Sequence, residues 1–250
     1  MPDWVADKQK RLERIREARA QIEAEAKTDP SDLDPDGPGP SSGMQARGNR
    51  KRGADAVVPD KAQRNFTDPH SRIQPTRDGF IAGYNGQIAV DQAQQVIVAQ
   101  RLATNPADYA ALVPLVDQTK ANLGRKPREG SADSGFATEA NLEAMAARKV
   151  KAYLPPGRSR HGADHAAGER RLKNKPRMAA MVTTLKRAGR HSRYRLRKQV
   201  VEPVFGQIKQ ARGFRQFLLR GLDKVRGEWA LICTAHNLLN LAQDKARSSQ

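Results

Sequence analysis

Only one cysteine, Cys233, occurs in the 250 residues. A lone thiol excludes an intrachain disulfide and a cysteine-rich zinc site, and its place in an apolar helical stretch suits a buried thiol in a reducing compartment. Aromatic residues make up 5% of the chain and hydrophobic residues 38%, against 29% charged. With a mean hydropathy of −0.76, this predicts one sizeable core plus segments too polar to fold. No run of about 18 apolar residues is present to span a membrane. The opening MPDWVADKQKRLERIREARA lacks the apolar stretch of a signal peptide. Together these absences predict a cytoplasmic protein without a membrane partner. Acidic residues are scarce as well: 27 Asp and Glu face 45 Lys and Arg, a formal charge of +18. Between Arg158 and Arg226 twenty Lys and Arg meet only Asp164, Glu169, Glu202 and Asp223, which leaves +2 for the rest. One segment carries the field, and its natural partner is a polyanion.

Read in order, residues 1–28 form a charged helix that starts near Pro2 and Asp3, with a thin seam of Leu12, Ile15 and Ile22. Residues 29–64 turn to Pro, Gly, Ser and Asp and read as a disordered linker, whose Arg50, Lys51 and Arg52 serve either DNA phosphates or solubility. Folding begins near Asn65. NFTDPHSRIQPTRDG is a turn-rich lead-in; GYNGQIAV and QQVIVAQRL are β-prone runs around a hairpin turn that contains Asp91. A helix follows Asn105-Pro106, with Leu112, Leu115, Val116 and Leu123 on its apolar face, and stops at Gly124. A short strand ends at Asp133, a helix runs from about Thr138 to Arg148, and VKAYL is a further strand. This order predicts a mixed α/β domain over 65–246, with a basic insertion at about 157–193. Trp229, Ile232, Cys233 and Leu239 read as core of the last helix, and His236 as core or rim. His161 and His165 have helical spacing but no third ligand nearby for zinc.

Two carboxylates stand out. Val201, Val204, Phe205 and Ile208 repeat at i, i+3, i+4, i+7 and predict an amphipathic helix over YRLRKQVVEPVFGQIK, with Glu202 beside the stripe. Lys198, Glu202, Gly206 and Lys209 then share one side, where an exposed i, i+4 ion pair explains the pattern as well as a site does. Asp133, at the end of a strand, stands either in the crevice where open α/β sheets place ligands or in a helix-capping role.

The stretch from Tyr194 to Lys209 resembles the C-terminal signature of DDE transposases of bacterial insertion sequences: a tyrosine, a basic residue, a glutamate, and a lysine after six intervening residues. Tyr194 to Glu202 is one residue longer than the commonest form, so the basic position is Arg197 or Lys198. SADSGFATEANL resembles the second-aspartate motif of the same branch, with Ser134 and Phe136 departing from the usual run. NFTDPHSRI, GYNGQIAVD and the tail from Ala211 to Ala242 are similar to it too. The resemblance implies a ribonuclease H-like mixed sheet flanked by helices, with Asp133 and Glu202 as catalytic and metal-holding residues. It implies DNA contacts from Tyr194, Arg197, Lys198, Lys209, Arg212 and Arg215.

In-line cleavage of a phosphodiester uses two divalent metals roughly 4 Å apart, and Mg, or Mn in its place, prefers carboxylate oxygens. The family uses three acids. The first stands in an Asp-Gly-Thr-like run on the opening strand, and this chain has no such run; Asp68, Asp78 and Asp91 are carboxylates upstream of Asp133, and Asp91 suits a turn better. The expectation is therefore a transposase lacking its first strand, which cleaves and joins transposon ends and target DNA, as a homodimer or with a full-length transposase. Its alternative is a truncated, inactive DNA-binding remnant. A basic RNA-binding protein, suggested by charge alone, leaves Asp133 and Glu202 without a reason.

Overall fold

The computed structural model describes residues 3–27, 63–76, 79–104, 108–155, 172, 174–189 and 193–248. The linker at 29–64, apart from its last two residues, lies outside them. So do Asn105-Pro106, Asp78, His161, His165 and much of the basic insertion.

The N-terminal helix is split into α1 (Asp3–Ala6) and α2 (Lys8–Lys27). Asp7 rather than Asp3 starts the long piece, since its Oδ1 accepts from the Gln9 amide at 2.8 Å. Leu12 and Ile15, the expected seam, are exposed. The lead-in also differs from expectation, because it holds a hairpin of β1 (Arg72–Thr76) and β2 (Gly79–Gly83). Asn65 Oδ1 accepts from the Thr67 amide at 3.0 Å and builds the turn before it. Buried Asp68 accepts the Tyr84 hydroxyl at 2.7 and 2.8 Å. Burial and this carboxylate hold the Tyr84 phenol well above its ordinary pKa.

The central layer is the expected hairpin, β3 (Asn85–Val90) antiparallel to β4 (Ile97–Ala103), with Gly86 opposite Leu102 and a bulge at Ala89/Val90. Asp91 closes its turn: the carboxylate accepts from the Ala93 and Gln94 amides at 3.0 Å each. Alternation divides the hairpin into two faces. Tyr84, Ile88 and Val90 join Ile97 and Leu102 in one core with Val204, Ile208, Val225, Trp229, Ile232 and Cys233. Ala89 and Ala99 turn the other way, toward Ala111, Leu115 and Phe136. Gly86 lets the Trp229 ring pack closely on the first face: a Cβ there would stand 3.2 Å from the ring, which would have to shift by a few tenths of an ångström. On the outer edge of β4, α3 (Leu112–Leu123) covers the backbone: Gln118 Oε1 accepts from the Gln100 amide at 3.0 Å and Asn122 Nδ2 donates to the Val98 carbonyl at 2.8 Å.

Helix α3 ends at left-handed Gly124, φ +67°. Leu112 and Leu115 are buried, but Leu123 is exposed, since it is the last helical residue, where the chain turns away. A parallel pair follows, β5 (Glu129–Ser131) and β6 (Lys151–Tyr153), joined by α4 (Glu139–Ala147), whose cap Thr138 accepts from the Asn141 amide at 3.0 Å. Within the basic insertion the described residues include a helix, α5 (Pro176–Ala188). Pro176 opens it, and Met178 and Met181 enter the core of Leu112, Leu142, Met145, Val150 and Leu154. Glu139 of α4 caps this helix, accepting from the Arg177 amide at 2.7 Å and the Met178 amide at 3.1 Å.

Helix α6 (Arg197–Gly206) continues as a π-helical turn, Gln207–Ala211, and α7 (Leu222–Ser248) closes the chain. Val204 and Ile208 are buried as the periodicity requires, and Trp229, Ile232, Cys233 and His236 are core. Leu239, expected with them, is 46% exposed. It lies two positions past Asn237, whose side-chain amide pairs with Ile97 N and O at the start of β4 and marks the contact side of α7. The fold is thus mixed α/β with three two-stranded sheets among the described residues. None of the described helices is long and apolar enough to cross a membrane.

Candidate active site

Glu202 lies on the exposed side of α6, away from buried Val204 and from buried Ile208 of the π-helical turn. The basic residue beside it is Arg197: Arg197 Nη2 stands 3.6 Å from Glu202 Oε1. The same guanidinium lies over the Tyr194 ring, 5.7 Å from its centroid. Tyr194, Arg197 and Glu202 therefore form one linked set, and the two basic residues open in sequence are told apart, since Lys198 is exposed and outside it. Pro203 follows Glu202 inside the helix, and the π-helical turn begins four residues later. That turn changes the angular phase, so Lys209 is displaced from the line that regular α-helical spacing draws through Lys198 and Glu202. Lys209 is exposed, with Nζ 5.5 Å from the Phe205 ring centroid. A side chain added at Gly206 would meet nothing within 4 Å, so the surface beside Glu202 is open there.

Arg212 and Arg215 follow the turn and differ from each other. Arg215 is exposed and donates to Gln210 Oε1. Half-buried Arg212 places Nη1 2.6 Å from Nδ1 of fully buried His236. The other ring nitrogen is 3.0 Å from the Gln95 carbonyl, so an Arg212 donor fixes the ring as neutral with its proton on Nε2. Burial first, then the Arg212 charge, lowers the His236 pKa despite the Gln95 carbonyl, which acts the other way. Cys233, one turn earlier, is pushed up to about 12 by burial alone and is inert.

Asp133 is the N-cap of a single 3-10 turn, Ser134–Phe136, and its Oδ1 accepts from the Gly135 amide at 2.8 Å. The strand before it stops two residues earlier than the sequence suggests, at Ser131. The capping role is real, and it consumes one side of the carboxylate while leaving the side chain half-exposed. Phe136 anchors the turn between two cores, and Asn141 Nδ2 donates to the Tyr109 and Phe136 carbonyls at 2.8 Å each.

Asp108 is the residue that sequence reasoning missed. It precedes the 3-10 turn Tyr109–Ala111 as a conventional N-cap would, yet makes no cap hydrogen bond. Its Oδ1 instead accepts from Asn85 Nδ2 at 2.7 Å and Gln87 Nε2 at 2.8 Å, both on one face of β3. An Asp beside Asn105-Pro106 reads locally as turn chemistry, and its partners on β3 lie too far away in sequence for local spacing to reveal them.

Glu202 and Asp133 are carried on opposite faces of the β3–β4 hairpin, the first through Val204 and Ile208, the second through Phe136. No hydrogen bond or ion pair joins them among the described residues, which also contain no group of three His, Cys, Asp or Glu able to hold a metal. The donor type nevertheless suits a hard divalent ion: each carboxylate keeps an oxygen without a partner among the described residues.

The family model described as transposase DDE domain matches residues 42–238. No curated protein matches the chain, and no solved structure does.

Proposed function

The chain belongs to the transposase DDE domain family, with a transposase-type function, and from that premise we propose that Asp133 and Glu202 hold a divalent metal, Mg or Mn, for DNA strand cleavage and strand transfer. The observation that carries this reading is the linked set of Tyr194, Arg197 and Glu202. A glutamate on a rigid, core-backed helix is oriented by one arginine, which is itself held over a ring, while the surface toward Gly206 stays open. A metal-holding carboxylate requires such support from its neighbours. Held by Asp133 and Glu202, such an ion would supply Lewis acidity for an attacking water or 3′ hydroxyl and for the leaving oxygen. Arg197, 3.6 Å from Glu202 Oε1, limits the rotamers of that side chain. Lys198, Lys209 and Arg215 lie exposed along the same stretch, where each phosphate contact would steepen the log–log salt dependence by about one unit. Tyr194 and Arg212 complete the proposed DNA-contacting group, Arg212 by bracing the turn through His236 as well as by its charge.

In this reading the two small sheets β3–β4 and β5–β6 are parts of one ribonuclease H-like sheet. The outer edge of β4 is closed by Gln118 and Asn122 of α3, which leaves β3 as the edge where the sheet extends toward β5 and Asp133. The family's first aspartate, expected on an opening strand, would join that edge. In this reading its partners are transposon-end and target DNA in the cytoplasm, together with a second copy of the chain or another transposase.

Alanine at Glu202 or Asp133 tests the assignment. Either change should abolish Mg- or Mn-dependent nicking of supercoiled DNA and leave DNA binding intact. Cleavage equal to that of the unaltered chain would contradict it, and binding without cleavage by the unaltered chain would favour a non-catalytic DNA-binding protein.

A further inference from the structure

We infer that Asp108 is a positioning residue for Asp133, a role that rests on the metal-holding function proposed for Asp133. Asp108 spans two elements. Its Oδ1 is fixed to β3 by Asn85 and Gln87, and its Oδ2 faces Gly135, where an added Cβ would lie 2.9 Å from it. The same point is 3.0 Å from Asp133 Oδ1. The two carboxylate oxygens are therefore no farther apart than the sum of those distances, with Gly135 wedged between them.

Three further observations make this a built contact. Gln87 is only 5% exposed, and its Oε1 has no hydrogen-bond partner, so Asp108 is the acceptor that fixes its amide. The backbone just beyond each aspartate is tied as well: Asn141 bridges the Tyr109 and Phe136 carbonyls, so segments 108–109 and 133–136 are held in register at two points. Asp108 also gives up the side-chain cap that its position offers, so its hydrogen bonds go to β3. Neither aspartate has a cationic partner among the described residues, so the contact is maintained by these hydrogen bonds against the repulsion of like charges.

The consequence is that the location of the Asp133 carboxylate is set from β3, the strand whose opposite face carries the core of α6 and Glu202. Asp108 acts through Gly135 and not by touching metal or DNA. Its acceptor geometry matters for this role, and its full charge does not. Asp108→Asn keeps a carbonyl oxygen for the Asn85 and Gln87 amides and places an amide donor toward Asp133; Asp108→Ala keeps neither.

The test uses the full chain with Mn alone as the probe, its binding followed by the paramagnetic resonance of the free ion. Amide exchange at Gly135 is read on the same proteins. Asp108→Ala should weaken Mn binding about 10-fold or more and speed Gly135 exchange, with Asp108→Asn within about threefold of the unaltered chain in both. Asp108→Asn as weak as Asp108→Ala would mean that the charge itself binds, and would overturn the inference. So would an Asp108→Ala protein unchanged in both readouts. Asp133→Ala separates the two layers: if it binds Mn as the unaltered chain does, the proposed function of Asp133 fails. The Asp108 contact is then judged by Gly135 exchange alone, with faster exchange in Asp108→Ala upholding it and unchanged exchange overturning it.

Discussion

Replacing Gly135 by alanine probes the Asp133 turn with a single methyl group. That methyl would stand 2.9 Å from Asp108 Oδ2, closer than real Cβ atoms come, and a tight 3.0 Å from Asp133 Oδ1, so either Asp108 moves or the turn that carries Asp133 shifts away from it. Asp108 is the costlier one to move. It would release Asn85 and leave the buried Gln87 amide unpaired, a loss of about 1–3 kcal/mol for that amide alone. Asp133 is half-exposed and gives up one hydrogen bond from the Gly135 amide, about 1 kcal/mol. Asp133 should therefore yield. The predicted result is a modest loss of stability, about 1–2 kcal/mol by urea unfolding, with a much larger functional effect. A misplacement approaching 1 Å at a reacting centre costs on the order of 100-fold in rate, read as Mg-dependent nicking against unchanged DNA binding. A Gly135→Ala protein with full nicking activity would refute the placement of Asp133 at the chemistry. One that is destabilised by several kcal/mol would show that Asp108 moves instead.

Arg197→Ala should reduce nicking at least 10-fold, since it removes the orientation of Glu202, whereas Lys198→Ala should change only the salt dependence of DNA binding; the two are compared in one cleavage titration. Glu139→Ala removes the cap of α5 and should cost about 1 kcal/mol, with a loss of helical signal in circular dichroism. Trp229→Ala opens the core against Gly86 and should cost about 3–5 kcal/mol in urea unfolding. His236 supplies a pH dependence: its folded pKa is depressed, so its contribution is complete above the ordinary value near 6.5 and is lost as pH falls from there through the lower folded value. Unfolding midpoints at pH 8 and pH 5 should differ more for the unaltered chain than for His236→Gln.

Much of this architecture is legible in the residues themselves. The β3–β4 hairpin, the stop at Gly124, α4, and the burial of Val204 and Ile208 follow from alternation, a turn residue and helical spacing. Asp91 does the turn work expected of it. What escapes is set by partners distant in sequence. Helix α5 is hidden in a basic stretch, and its start is fixed by Glu139, 38 residues away, which caps its first turn. Leu239 and Leu123 fit an apolar period, but nothing in the period says where the covering element ends. The choice between Arg197 and Lys198 depends on a ring position that spacing leaves free, and the π-helical turn moves Lys209 out of a phase that regular geometry assigns to it. Asp108 is the clearest case, since its partners Asn85 and Gln87 lie 23 and 21 residues away and its neighbours suggest a cap that it does not make.

The central claim is that Asp133 and Glu202 serve one metal. Fe(II) in place of Mg, with ascorbate and peroxide, cuts the polypeptide backbone beside the bound ion and reports where that ion sits. The account predicts cuts near both Asp133 and Glu202, suppressed together by excess Mg and lost together in Glu202→Ala. Cuts confined to one of the two segments, or unchanged by Glu202→Ala, would contradict it.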